Sequence, residues 1–158
     1  MRPVPAEPCL GLISAFEKGP DGSFAAEPYK DPVGVWTVGW GHALADQNAG
    51  APYPWDKARA DQQALDDLQT AAQGVCASLG TVVDSLTEGQ YAACIDFAFN
   101  CGVSAFANST LSQRIRTGQL AAVPNEFGKW KYGRVNGVET VLPGLVTRRA
   151  AEVRVWLT

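Results

Sequence analysis

No stretch of the 158 residues approaches the roughly 20 consecutive apolar residues that a membrane-spanning helix requires. Met1-Arg2-Pro3-Val4-Pro5 leads into nothing like the apolar centre of a secretion signal. The chain therefore reads as soluble, made in the cytoplasm, with no stable membrane insertion and no export by its own sequence. Histidine is nearly missing, His42 being the only one, and Cys9, Cys76, Cys94 and Cys101 include no C-x-x-C pair. A zinc set is excluded on those grounds, and no other metal or cofactor is suggested. Gly102-Val103-Ser104-Ala105-Phe106 is not a G-x-S-x-G elbow, and no histidine besides His42 exists to activate a serine or cysteine. Gly39-Trp40-Gly41 continues to Leu44 where a dinucleotide fingerprint needs glycine. Walker-type phosphate loops, zinc-protease motifs, internal repeats, low-complexity tracts and flexible linkers are also missing.

What is present is a composition suited to one compact domain. With 46% hydrophobic and 18% charged residues, a chain of this length buries roughly 70% of its unfolded surface without help from disulfides. The net charge of −3 argues against nucleic acid as a partner. The charge is unevenly placed: residues 1–107 carry five basic and thirteen acidic side chains, residues 108–158 eight basic and three acidic. The C-terminal third thus either meets an anionic polymer or is an ordinary solvated face.

The apolar segment Leu10–Phe16 has helical spacing and runs into Glu17, after which Gly19-Pro20-Asp21-Gly22 enforces a break. From Tyr29 to His42 the β-branched and tryptophan-rich text, punctuated by Gly34, Gly39 and Gly41, reads as a small antiparallel sheet. Pro52 and Pro54 mark a loop. From Asp56, an apolar stripe through Leu65, Leu68, Ala72, Val75, Cys76 and Leu79 predicts one long helix linking two lobes. Thr87-Glu88-Gly89-Gln90 has the form of a capping box before an almost polar-free, hence central, helix that Gly102 ends. Ser109–Arg116 reads as a further helix, and Pro124 opens a short one reaching Trp130. Asn136-Gly137 signals a two-residue hairpin, and Pro143-Gly144 opens a last helix ending in Trp156-Leu157. If Cys94 and Cys101 share one helix, their seven-residue spacing separates them by about 10 Å, beyond the roughly 7 Å limit for a disulfide. Whether Cys9 and Cys76 pair stays open.

Once the nucleophile and metal motifs are excluded, two carboxylates remain, Glu17 at a helix end and Asp31 leading a glycine-rich hairpin, with Thr37 six residues on. Breaking an acetal needs one protonated carboxyl to donate to the leaving oxygen and one carboxylate to activate water or attack carbon. Different environments can give two such groups different proton affinities. By spacing alone, either residue is equally an ordinary surface charge or a cap.

The run from Tyr29 to His42, Tyr-Lys-Asp-Pro-Val-Gly-Val-Trp-Thr-Val-Gly-Trp-Gly-His, closely resembles the catalytic hairpin of phage-type lysozymes, the endolysins of glycoside hydrolase family 24. Leu86-Thr87 with Gln90, Phe97-Ala98-Phe99-Asn100-Cys101-Gly102, Ala105-Phe106 and Ser109-Thr110-Leu111 are similar to that family's central helix and its successor. Pro143-Gly144-Leu145 with Arg148, Arg149 and Glu152 is similar to its closing helix, so the resemblance spans roughly residues 10–158.

The resemblance implies an α+β, mainly helical, two-lobed lysozyme-like fold. Residues 1–158 would form a single catalytic domain, with a small β-containing lobe at about 20–55 and a helical lobe at about 80–158 plus the N-terminal helix. It implies a muramidase, without cofactor, that cleaves the β-1,4 bond between N-acetylmuramic acid and N-acetylglucosamine in the glycan strands of peptidoglycan. Glu17 would be the general acid, Asp31 the carboxylate across the scissile sugar and Thr37 the residue orienting the attacking water. Asn100 would line the cleft, and Arg148 and Arg149 would complete the substrate-binding set as partners for carboxyls. An inverting outcome, a monomer, and a separate membrane-permeabilising protein (a holin) for access to the wall complete the expectation. The family usually places eight residues between acid and aspartate, whereas thirteen lie between Glu17 and Asp31. Five extra residues lie within Lys18–Pro28, so Asp21 or Glu27 is an alternative to Asp31, though neither sits beside the hairpin motif; if Asp31 keeps the role, the extra residues should bulge outward, with Asp21 and Glu27 pointing to solvent or capping the turn.

His42 reads as a hydrogen-bonded structural residue behind the hairpin rather than a catalyst. Trp36 and Trp40, and further on Trp130 and Trp156, read as packing residues. Asn100, near the end of a buried helix, needs a polar partner. The rival readings are a lytic transglycosylase acting on the same bond without water, and a non-catalytic wall-binding protein of the same fold.

Overall fold

The computed structural model describes residues 1–158. Helix α1 (Ala6–Phe16) begins one turn before the apolar segment, because Cys9 N–H already closes onto Pro5 carbonyl and Pro8 falls in the first turn, where its missing N–H is not needed. The helix ends as Glu17 donates its N–H to Ile13 while its own ψ swings to 73°. A three-stranded antiparallel sheet follows in the order β1 (Ala25–Lys30), β2 (Trp36–Gly39), β3 (His42–Ala43). It starts four residues earlier than the text from Tyr29 suggested. Its register is irregular between Ala25 and Tyr29, where Pro28 has no N–H to give to the ladder.

The stripe from Asp56 to Leu79 is not one helix but two, α2 (Lys57–Asp67), capped by Asp56, and α3 (Gln69–Leu79). They join at Leu68, whose ψ relaxes to −12° and whose N–H is shared between Ala64 and Asp66 carbonyls. The hydrophobic period runs through the junction unbroken, so it could not reveal the break. Helix α4 (Glu88–Cys101) opens with both hydrogen bonds of the Thr87–Gln90 capping box and ends at Gly102 with φ 100°. A further helix, α5 (Val103–Asn108), is only six residues long and too short to carry a readable period. Helix α6 (Thr110–Arg116) is capped by Ser109, and α7 (Val123–Phe127) stops three residues short of Trp130. The hairpin β4 (Tyr132–Val135) and β5 (Val138–Val141) turns at Asn136 (φ 49°) and Gly137 (φ 79°), the left-handed pair that a two-residue hairpin demands. Helix α8 (Pro143–Trp156) closes the chain.

The main core gathers around α4. Phe97 meets the rings of Phe106, Phe127 and Trp130 nearly edge-on, and Phe127 meets Trp156 in turn. A second, small core of Val38, Trp55 and Ala60 lies under the sheet, and Trp40 packs against both. Trp40 also donates its indole N–H to Asp61 at 2.7 Å, tying β2 to α2. His42 Nδ1 lies 2.9 Å from an oxygen of Asp67, and its ring stacks on Trp55, so it braces the sheet against α2. All four cysteines are free thiols. No helix is long and apolar enough to cross a membrane.

Helices α4 and α8 approach so closely that a Cβ placed on Gly89 would lie 2.3 Å from the Val155 carbonyl oxygen. Backbone cannot yield as a side chain does, so Gly89→Ala should force the two helices apart. A loss of about 1–3 kcal/mol is expected, read as a lower urea midpoint at unchanged m-value. An unchanged midpoint would show that this contact is looser than it stands.

Candidate active site

Glu17 closes α1 between the β2–β3 turn at Gly41 and Arg148 of α8, which Asp96 of α4 holds in turn. Its Oε1 accepts from Arg148 Nη1 at 2.8 Å, and a Cβ on Gly41 would sit 3.1 Å from its Oε2. Gly41 (φ 81°) therefore serves twice, turning β2 into β3 and leaving room for the carboxylate.

Asp31 sits in the β1–β2 turn. Its Oδ1 accepts from Val33 N–H at 3.0 Å and Val35 N–H at 2.8 Å, while Oδ2 takes no donor from the protein. Thr37, on β2 and only 5% exposed, donates its hydroxyl to the Val35 carbonyl at 3.1 Å. The two backbone groups of Val35 thus fix both side chains. Tyr29 is the register partner of Thr37. Partial burial, then the negative charges of Asp31 and Glu17, raise its hydroxyl above the ordinary phenol value, so both carboxylates lie within its electrostatic reach.

The extra residues between Glu17 and Asp31 form a turn in which Gly19 N–H bonds Ser23 carbonyl at 2.7 Å, followed by the irregular first half of β1. Asp21 and Glu27 are exposed, and they line a separate hollow of about 300 Å³ under that turn.

The arginines partner carboxyls, as the resemblance implied. Arg148 and Arg149, expected to contact substrate, are 5% and 1% exposed. Arg148 sends Nε and Nη2 to the two oxygens of Asp96 at 2.9 and 2.8 Å, leaving Nη1 for Glu17. Burial works against its charge, yet the Asp96 and Glu17 carboxylates hold its acidity below that of an ordinary guanidinium. Arg149 reaches Cys101 Sγ at 2.8 Å, Asn100 Oδ1 at 2.9 Å and Glu152 Oε1 at 2.6 Å. Arg148 gives Nε, Nη1 and Nη2 to protein carboxylates, whereas Arg149 leaves its buried Nε without a partner. Asn100 is exposed rather than buried, because α4 emerges from the core at Phe99, and it finds its polar partner in Arg149. It borders a cavity of about 570 Å³ that Trp130, Tyr132 and Leu145 line together with Lys129 and Glu139.

The sequence reading gave no role to Asp96 and Glu152, which are 2% and 0% exposed. Burial, and then the neighbouring Asp96, push the Glu152 carboxyl up to about 10, with Arg149 pulling the other way. Asp96 was detectable in principle as the one carboxylate in the otherwise apolar run of α4.

The excess of basic residues in 108–158 is also partly consumed. Two of the eight are these buried arginines, and Arg114 and Lys129 both approach Glu126.

An acid-bearing helix end facing an aspartate-led hairpin beneath a mainly helical α+β core defines a glycosidase of the lysozyme type. The profile described as phage lysozyme matches residues 21–152, a span that contains Asp31, Thr37, Asn100 and both arginines but starts after Glu17. The chain is 37% identical over 148 residues to an endolysin of Acyrthosiphon pisum secondary endosymbiont phage 1, covering 93% of each. It superposes on the muramidase domain of SpmX from Asticaccaulis excentricus with a TM-score of 0.79 and 27% identity, over 99% of both chains. P22 lysozyme shares the fold at a TM-score of 0.79 and 21% identity, over the whole of both chains. The chain belongs to the phage lysozyme family, and it is a lysozyme-type glycoside hydrolase.

Proposed function

We propose that the chain is an endolysin muramidase. It hydrolyses the β-1,4 bond between N-acetylmuramic acid and N-acetylglucosamine in peptidoglycan, with Glu17 as the general acid and Asp31 as the carboxylate across the scissile sugar. The observation that carries this reading is the contrast between the two carboxylates. Glu17 closes a helix, half-buried beside one arginine nitrogen, whereas Asp31 stands on a rigid turn with Oδ2 free of protein donors. The first arrangement fixes one oxygen of Glu17 and leaves Oε2 to face the leaving oxygen, and the second suits a group that must stay ionised and meet water. Thr37, its proton committed to Val35, has lone pairs left to accept from that water. Asn100 borders the cavity in which the glycan would extend.

In this reading residues 1–158 are one catalytic domain, with a β-containing lobe at about 20–55 and a helical lobe at about 80–158 completed by α1. The enzyme acts as a monomer, and a separate holin opens its route from the host cytoplasm to the wall. Incubation with purified peptidoglycan should yield muramic acid at new reducing ends, released as the α-anomer if the reaction inverts. A 1,6-anhydro end would reassign the chain as a transglycosylase, and no cleavage at all would leave a wall-binding protein.

A further inference from the structure

Arg148 is divided unequally. Its Nε and Nη2 form a two-point fork with Asp96, and only Nη1 reaches Glu17. A guanidinium is planar and rigid, so fixing two nitrogens fixes the direction of the third. Burying such a pair gains little stability, because both charges lose their hydration. Its use here is geometric.

We propose that Asp96 is a positioning residue for hydrolysis, which by gripping Arg148 from α4 sets where the Glu17 carboxyl points and how strongly Arg148 acts on it. This rests on the reading of Glu17 as the general acid. The charged and titratable groups around the relay come from four elements. Glu17 and Cys9 belong to α1 or its end, and Tyr29 faces Glu17 from β1. Cys94 and Cys101 flank the arginine–Glu152 cluster from α4, and Arg149 and Glu152 adjoin it on α8. Glu152 is fully buried, with Oε1 accepting from Arg149 and Oε2 without a hydrogen-bond partner. Both Asp96 oxygens are engaged by Arg148, so the offset to its charge comes from α4 rather than from Glu17 alone.

Two variants separate direction from charge. Asp96→Asn removes the fork and the offsetting charge, so kcat should fall roughly 10- to 100-fold with KM for soluble glycan fragments nearly unchanged. The alkaline limb of the kcat/KM profile, where a general acid loses its proton, should move toward acid by roughly half a unit or more. Arg148→Lys keeps the charge but cannot fork, so kcat should fall comparably while the limb stays in place. Thermal unfolding checks that each variant is folded. A folded Asp96→Asn with wild-type kcat and an unmoved limb overturns the proposal. So does a wild-type kcat in Arg148→Lys should Asp96→Asn fail to fold. Glu17→Gln in the same assay separates the two assignments: if it stays active, the general-acid reading has failed, and if it is inactive while both other variants behave as wild type, only the role of Asp96 has.

Discussion

Glu17→Gln is expected to reduce turnover on peptidoglycan by about 10³-fold or more, near the upper end of what one general acid–base group contributes. The amide keeps the shape of the carboxyl, and its oxygen can still accept from Arg148 Nη1, which now lies 2.8 Å from Oε1. What it cannot do is hand a proton to the departing sugar oxygen. The side chain is 29% exposed at a helix end, so the melting temperature should shift by only a few degrees, given about 2–4 °C per kcal/mol at this size. Wall binding should persist. The checks are turbidity loss of outer-membrane-permeabilised cells, pelleting with purified wall, and a melting curve. Clearing above about a tenth of the wild-type rate would remove Glu17 from the reaction.

Asp31→Asn is expected to be nearly as damaging, about 10²- to 10⁴-fold, and its interpretation depends on the turn. Asn Oδ1 can accept from Val33 and Val35 as the aspartate does, so the hairpin should keep its conformation. The change falls on the other atom, where an N–H group replaces the free Oδ2 and the charge is lost. Asp21→Asn and Glu27→Gln serve as the contrast, since both side chains are exposed beside the hollow under the Lys18–Phe24 turn. Each should leave turnover within about twofold. If Glu27→Gln were the inactive member of the set and Asp31→Asn active, the second carboxylate would have been taken from the wrong side of the extra residues.

Local chemistry explains what was legible. The Thr87–Gln90 capping box, the Asn136-Gly137 turn, the Gly102 stop and the Pro143 start each state a backbone requirement within two to four residues. The same locality explains the misses. Nothing in the stripe from Leu65 to Leu79 marks the helix break at Leu68, α5 is shorter than two helical turns, and the start of β1 at Ala25 depends on partners on β2 fourteen residues away.

By itself the sequence determined the class of chemistry. It has one histidine, no metal spacing and no activated nucleophile, yet it places Asp31 and Thr37 on a glycine-punctuated hairpin after a helix that ends in Glu17. Only the tertiary structure decided what surrounds those groups. It turned Arg148 and Arg149 inward to bind Asp96, Glu17, Glu152 and Asn100, and it brought Asn100 to the surface at the end of a buried helix. Polarity in a sequence tells whether a side chain can be charged. Arg149 and Glu152 are neighbours on one helix, but burial and the pairing of Arg148 with Asp96 and Glu17, 52 and 131 residues away, follow from how α1, α4 and α8 pack, because a charge removed from water must find its counter-charge wherever the fold supplies one.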